Sequence, residues 1–225
     1  MTSLPYDSER SGPRRGVFVV LEGPEGAGKS TQIALLASRL ADMGREHVLT
    51  REPGGTRAGD AIRRVLLDPA QRIEPLAEFL LYSASRAQLV GEVIAPALQA
   101  GSDVISDRFT GASVAYQGHG RGLDLDLIDL LNTRVSQGLT PDLTVLLDID
   151  PAAGLQRAAA RSQHDRLEAE SFEFHERVRA GFVLQAHTRP DWLLVNGAAD
   201  EAAVASLIWA AVEPLLALRD DQVSR

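Results

Sequence analysis

The apolar positions of this chain change period several times along its length. Residues 17–22 (VFVVLE) form a short β-branched run, the pattern of a strand buried on both faces. From 29 to 43 the apolar residues Ile33, Leu36, Ala37 and Leu40 recur at helical spacing, and Gly44 stops that helix. Residues 46–50 read as a second strand. The following REPGGT (51–56) is a turn, because one Pro and two Gly continue neither element. Helical periods return over about 58–67 and about 76–100, the second broken near Gly91 or Pro96. A third strand at 103–106 runs into Asp107-Arg108, and 123–137 is helical. LTVLLDI (143–149) is a fourth strand, opened by Pro141-Asp142 and closed by Asp150-Pro151. Helices at 154–161 and 170–187 flank a charged connection. A short fifth strand at 192–195 and a final helix at 199–218 complete the pattern.

Strands alternating with helices predict an α/β fold, a parallel sheet with helices on both faces. Ligands of such sheets sit beyond the C-terminal ends of the strands. Four segments rich in Gly, Pro and charge lie there: residues 23–31, REPGGT, Asp107-Arg108 and 148–151. Their convergence predicts one site. Residues 15–220 read as one domain, between a polar N-terminal tail (1–14) and a C-terminal tail (221–225).

Composition narrows the function. With no Cys there is no disulfide, no thiolate metal site and no thiol nucleophile. A net charge of −8 argues against binding nucleic acid through a broad basic surface. Residues 1–14 carry no apolar core of a leader peptide. The longest uncharged apolar stretch, near 202–212, falls short of the ~20 residues of a membrane span. A soluble cytoplasmic protein is expected, with no membrane and no nucleic acid among its partners. The five His show no metal spacing.

The chemistry centres on GPEGAGKST: Gly23, Pro24, Glu25, Gly26, Ala27, Gly28, Lys29, Ser30 and Thr31. It fits G-x-x-x-x-G-K-[ST] between a strand and a helix. Such a loop offers backbone N–H groups to phosphates, a Lys to the β- and γ-phosphates, and a hydroxyl to Mg²⁺. Glu25 is the odd member, an anion among anion-binding groups. A nucleotide switch or motor would share the loop. A switch GTPase would also need N-K-x-D, which is absent; the only Asn are Asn132 and Asn196. A small kinase needs a second pocket and a basic segment to cover the phosphates. Arg157, Arg161 and Arg166, in RAAARSQHDRLE, are of that kind.

GPEGAGKST, TREPGGT (50–56), Asp107-Arg108, AYQG (115–118), PDLTVLLDID (141–150) and DRLEAESFEF (165–174) together resemble the bacterial thymidylate kinase family. The likeness runs in order from about 17 to about 182. It implies a P-loop kinase fold with a five-stranded parallel sheet and a flexible Arg-rich lid at about 157–168. It implies transfer from ATP to dTMP with Mg²⁺, in a homodimer. Faces carrying Leu76, Phe79 and Leu80 suit either a dimer contact or ordinary core. Glu25 would face the acceptor's 3′-hydroxyl. The loop's only basic residue is Lys29, so lid arginines would meet the transition-state charge, Arg161 first and Arg157 second. Arg108 would bridge the two phosphates, and Asp107, with Ser30, would hold Mg²⁺. Arg86 would reach thymine O4 and Tyr82 would stack on the base. Ser113 and Gln117 would be polar contacts near it, and Tyr116 would crowd C2′ of the sugar. Glu52 and Arg63 would be further contacts. Asp165 and Glu168 would order the lid or reach Mg²⁺ through water. Another deoxynucleotide or deoxynucleoside kinase (dUMP or dCMP as acceptor) and an ATP-binding regulatory module are the alternatives.

Overall fold

The computed structural model describes residues 15–160 and 166–221. Its sheet has five parallel strands in the order β2-β3-β1-β4-β5. They are β1 (Phe18–Glu22), β2 (His47–Arg51), β3 (Asp103–Asp107), β4 (Leu143–Asp148) and β5 (Trp192–Asn196). Leu21 stands beside Asp107 on one side, and Glu22 beside Leu146 on the other. This register brings the glycine-rich loop after β1 level with Asp107-Arg108 after β3.

The two faces of β1 explain why its sequence is apolar without alternation. Val19 and Leu21 enter a core closed by α1 (Lys29–Asp42) and α9 (Glu201–Asp221). Phe18 and Val20 enter a second core with Leu89, Val90, Ile94 and Leu98. α1 starts after Gly28, whose φ of 96° suits glycine, and buries Leu36, Ala37 and Leu40. α7 (Pro151–Ala159) starts where Asp150 accepts from the N–H groups of Ala152 and Ala153, with Pro151 in the first turn. α9 is long and apolar enough, from Glu201 to Arg219, to cross a membrane by length and composition. Its Val204, Ile208, Val212 and Leu216, four residues apart, are buried in the first core.

One expectation needs correction. The helix over 76–100 is not broken at Gly91 or Pro96. α3 (Pro75–Leu89) passes through a π-helical stretch, Val90–Ile94, into α4 (Ala95–Gln99). The widened turn absorbs one residue without ending the rod, and Pro96 lies in the first turn of α4, where its missing N–H costs little. Residues 110–120 also fold as helix: α5 (Thr110–Ser113) followed by π-helical Val114–Gly120. Glycine and small side chains hide the period there. The segment is held by α8 (Phe172–Thr188), whose Phe174, Val178 and Phe182 pack with Ala115 and Tyr116. α2 (Arg57–Leu67) and α6 (Leu125–Val135) complete the described helices.

Candidate active site

The loop after β1 is packed backbone to backbone against α7. A Cβ on Gly26 would lie 2.1 Å from the carbonyl oxygen of Gly154, and one on Gly154 would lie 2.5 Å from that of Glu25. No larger residue fits at either position without moving main chain. Lys29 folds back onto its own loop and donates to the carbonyls of Gly23 and Pro24, each at 2.9 Å. Burial lowers its pKa to about 8, helped by Arg108 and opposed by Asp107, Glu25 and Glu22.

Arg108 has a left-handed φ of 72°, a conformation rare outside glycine and seen at functional sites. Its carbonyl accepts from Ser106 Oγ at 2.7 Å. Its guanidinium donates to the Gly23 carbonyl at 2.9 Å, to the Tyr116 hydroxyl oxygen at 3.0 Å and to Glu25 Oε1 at 3.3 Å. The turn that carries it is pinned from beneath by Glu22, whose Oε1 accepts from the N–H groups of Phe109 (2.9 Å) and Ala112 (3.0 Å). Glu22 Oε2 is buried without a hydrogen-bond partner among the described residues. Burial pushes the Glu22 pKa up to about 7, against the pull of Arg108, the two N–H groups and Lys29.

Glu25 is far from being repelled. Tyr116 also donates to its Oε1, and Nδ1 of the buried His175 stands 3.6 Å from its Oε2. Burial works against its charge, yet His175, Arg108, Lys29 and Tyr116 together lower its pKa to about 2. The loop therefore carries a fixed anion. Its Oε1 is held by two donors, while its buried Oε2 has no hydrogen-bond donor within normal distance among the described residues.

Glu25, Lys29, Arg108 and Tyr116 line a cavity of about 230 Å³. Gly26, Ala27, Gly28, Ser30 and Asp107 line it as well. The same cavity is lined by the uncharged side chains of Tyr82, Ser113, Gln117, Leu67 and Leu167 and by the charged Arg51, Glu52, Arg63 and Glu168. Arg63 donates to the Pro53 carbonyl at 3.0 Å. The structure thus brings together most of the residues that the sequence nominates. Gly23 and Pro24 stand behind the loop as acceptors for Lys29, and Thr31 sits in the first turn of α1. Arg157 is exposed and donates to the Gly197 carbonyl at 3.1 Å. Arg161, Asp165 and the residues between them, the middle of the expected lid, lie outside the described residues, as do residues 1–14.

Arg86 stands behind the cavity wall and is 1% exposed. It donates to Glu52 Oε2 (2.7 Å), Asn132 Oδ1 (2.6 Å), the Phe109 carbonyl and Ser113 Oγ (both 3.0 Å). Its contacts here are all with protein groups. Sequence reasoning missed His175, Glu22 and Glu78. Glu78 had a signal: it lies four residues before Tyr82 and eight before Arg86, on one helical face. His175 had none.

A phosphate-cradling loop after β1 of a sheet ordered β2-β3-β1-β4-β5, sharing one cavity with Arg108, Tyr82, Tyr116 and Gln117, defines a P-loop nucleotide kinase. Comparison with known proteins narrows the class. A match to the family described as thymidylate kinase spans residues 21–208. The chain is 56% identical over 199 residues to the thymidylate kinase of Deinococcus radiodurans, covering 88% of this chain and 97% of that protein. It is 50% identical over 205 residues to that of a Synechococcus species, covering 90% and 97%. A crystal structure of thymidylate kinase from Ehrlichia chaffeensis matches with a TM-score of 0.73 at 33% identity, covering 88% of this chain and 99% of that one. This chain belongs to the thymidylate kinase family.

Proposed function

We propose that this chain transfers the γ-phosphoryl group of ATP to dTMP, giving dTDP and ADP. The observation that supports this reading is the lining of one cavity. Lys29 and the phosphate loop, Arg108, and the aromatic and neutral polar side chains of Tyr82, Tyr116, Ser113 and Gln117 all face it. Nucleotide phosphates replace the Gly23 and Pro24 carbonyls as acceptors for Lys29. Arg108 turns its fork from Glu25 and Tyr116 to phosphate oxygens, for which a guanidinium is well shaped. The acceptor phosphate, with a second pKa of ~6, is already largely dianionic at neutral pH. No strong base is needed, so positioning and charge neutralisation carry the reaction.

Asp107 Oδ1 is a buried carboxylate oxygen without a hydrogen-bond partner among the described residues, and Asp107 and Ser30 both line the cavity. Two hard oxygen donors fit Mg²⁺, which keeps water and phosphate oxygens as its other ligands. When bound, the ion supplies neutralisation of the phosphate charge. Glu25, in the cavity lining, accepts from the sugar 3′-hydroxyl. Tyr82 and Tyr116 flank the base and sugar. Arg86 supports the pocket by holding Glu52 and Ser113. Arg161 and Arg157, from the lid, meet the developing charge.

The outward face of α3 supports a homodimer: Leu76 and Leu80 are 47% and 49% exposed, while Phe79 is buried in the core. The absence of Cys suits a reducing cytoplasm. A coupled ADP-release assay across nucleoside monophosphates tests the function. Turnover with dTMP well above dUMP and dCMP supports it; a preference for another acceptor overturns it.

A further inference from the structure

Glu78 is fully buried at 0% exposure, on α3, and it is bonded to Gln117 of the cavity lining. Three side chains converge on its carboxylate. Arg121 spans both oxygens, Nε to Oε1 at 3.3 Å and Nη2 to Oε2 at 3.0 Å. Arg166 Nη1 lies 2.7 Å from Oε2. Gln117 Nε2 donates to Oε1 at 2.9 Å. Arg166 is itself tied to α2 through the Leu66 carbonyl at 2.8 Å, and Arg121 to Glu170 at 2.7 Å. Burial disfavours the charge on Glu78, but the hydrogen bonds from Arg121 and Gln117 and the charges of Arg121 and Arg166 hold its pKa low.

An ionised carboxylate only accepts hydrogen bonds. A primary amide has two unlike ends, and the end facing Glu78 must be the N–H₂. Gln117 also lines the cavity. Its carbonyl oxygen is therefore the end left for a ligand. We infer that Glu78 is a positioning residue that fixes the polarity of the Gln117 amide, so that the base compartment presents an acceptor and selects pyrimidines bearing N3–H. Thymine and uracil carry that hydrogen; cytosine offers a bare N3 lone pair, which would face the amide oxygen. Discrimination between dTMP and dCMP is thus set from outside the cavity, by a residue that touches neither.

This inference rests on the dTMP reading, and its test separates the two. Glu78→Gln puts an amide behind Gln117 that can donate as well as accept, so Gln117 is free to invert. The measurement is kcat/KM for dTMP and for dCMP, with the KM for ATP as a check on the rest of the site. The dTMP-to-dCMP ratio should fall at least ~10-fold, since the ratio depends on one matched hydrogen bond, with little change in the KM for ATP. A merely structural role would lower both acceptors together; an unchanged ratio overturns the inference. If Glu78→Gln fails to fold, Gln117→Met keeps the length and removes the acceptor. Its ratio should fall likewise, and an unchanged ratio again overturns the inference. Absence of dTMP turnover in the wild-type enzyme would instead overturn the function on which it rests.

Discussion

Tyr116 and Arg108 donate to the same oxygen of Glu25, Oε1, while Oε2 is buried with His175 Nδ1 3.6 Å away. A carboxylate inside a phosphate loop is thereby held in place and its charge offset. If Glu25 receives the acceptor's 3′-hydroxyl, Glu25→Gln and removal of that hydroxyl should not be additive. A hydrogen bond to a charged group is worth ~1.5–3 kcal/mol, so each single change should lower kcat/KM by ~10–100-fold. The double change should cost clearly less than the product. Measuring dTMP and 3′-deoxy-dTMP with both enzymes closes the cycle; strict additivity would show that the two groups do not meet.

Lys29→Ala should lower turnover by at least ~10²-fold, the scale of losing one preorganised charge donor. It should not weaken the fold. Burial already depresses the lysine's pKa to about 8, so the variant removes a cation that is poorly solvated in the ligand-free state. Turnover and a thermal melt without nucleotide test the two halves separately. Near-normal turnover would remove Lys29 from the mechanism.

Gly154→Ala should behave against helix propensity. In an ordinary helix interior the change stabilises by up to ~1 kcal/mol. Here the new methyl would meet the Glu25 carbonyl at 2.5 Å, and one of the two backbones must shift. The variant should melt no higher than the wild type, and its KM for ATP should rise. A stabilised enzyme with unchanged kinetics would mean that the contact is slack.

Glu22 should make the unliganded enzyme less stable as pH rises. Its pKa goes from an ordinary 4.5 to about 7 on burial, so folding takes up a proton between those values. Its favourable contribution is complete below 4.5 and is lost as pH climbs through 7, with a ceiling of about 3 kcal/mol. Glu52, also pushed up to about 7 by burial despite Arg86, adds a like slope. Melting temperatures at pH 5 and pH 8 should therefore differ less in Glu22→Gln than in the wild type. Equal differences would place the titration elsewhere.

The strands and the glycine-rich loop were legible because a strand buried on both faces leaves a continuous apolar run, and because a phosphate cradle needs its glycines and lysine at fixed spacing. The π-helical turns at Val90–Ile94 and Val114–Gly120 were not legible. Neither has a period of its own, and the second is held by side chains of α8, more than fifty residues later in the chain. Arg86 shows the same limit in the site. The family likeness assigns it to thymine O4, but its protein partners Glu52 and Asn132 lie 34 and 46 residues away. Nothing local in the sequence announces them. His175 sits beside Glu25 through the packing of α8 alone.

The buried ionic groups around α3 also bear on how the molecule responds to heat. Arg86 with Glu52, and Glu78 with Arg121 and Arg166, frame the base compartment, whereas the core under α9 is closed by aliphatic side chains and Trp209. The penalty for keeping charges out of water falls on warming, while the contribution of apolar burial levels off. Raising the temperature therefore shifts the balance of cohesion toward the α3 side. The helix that closes the far face should fray first, with the substrate compartment still in shape.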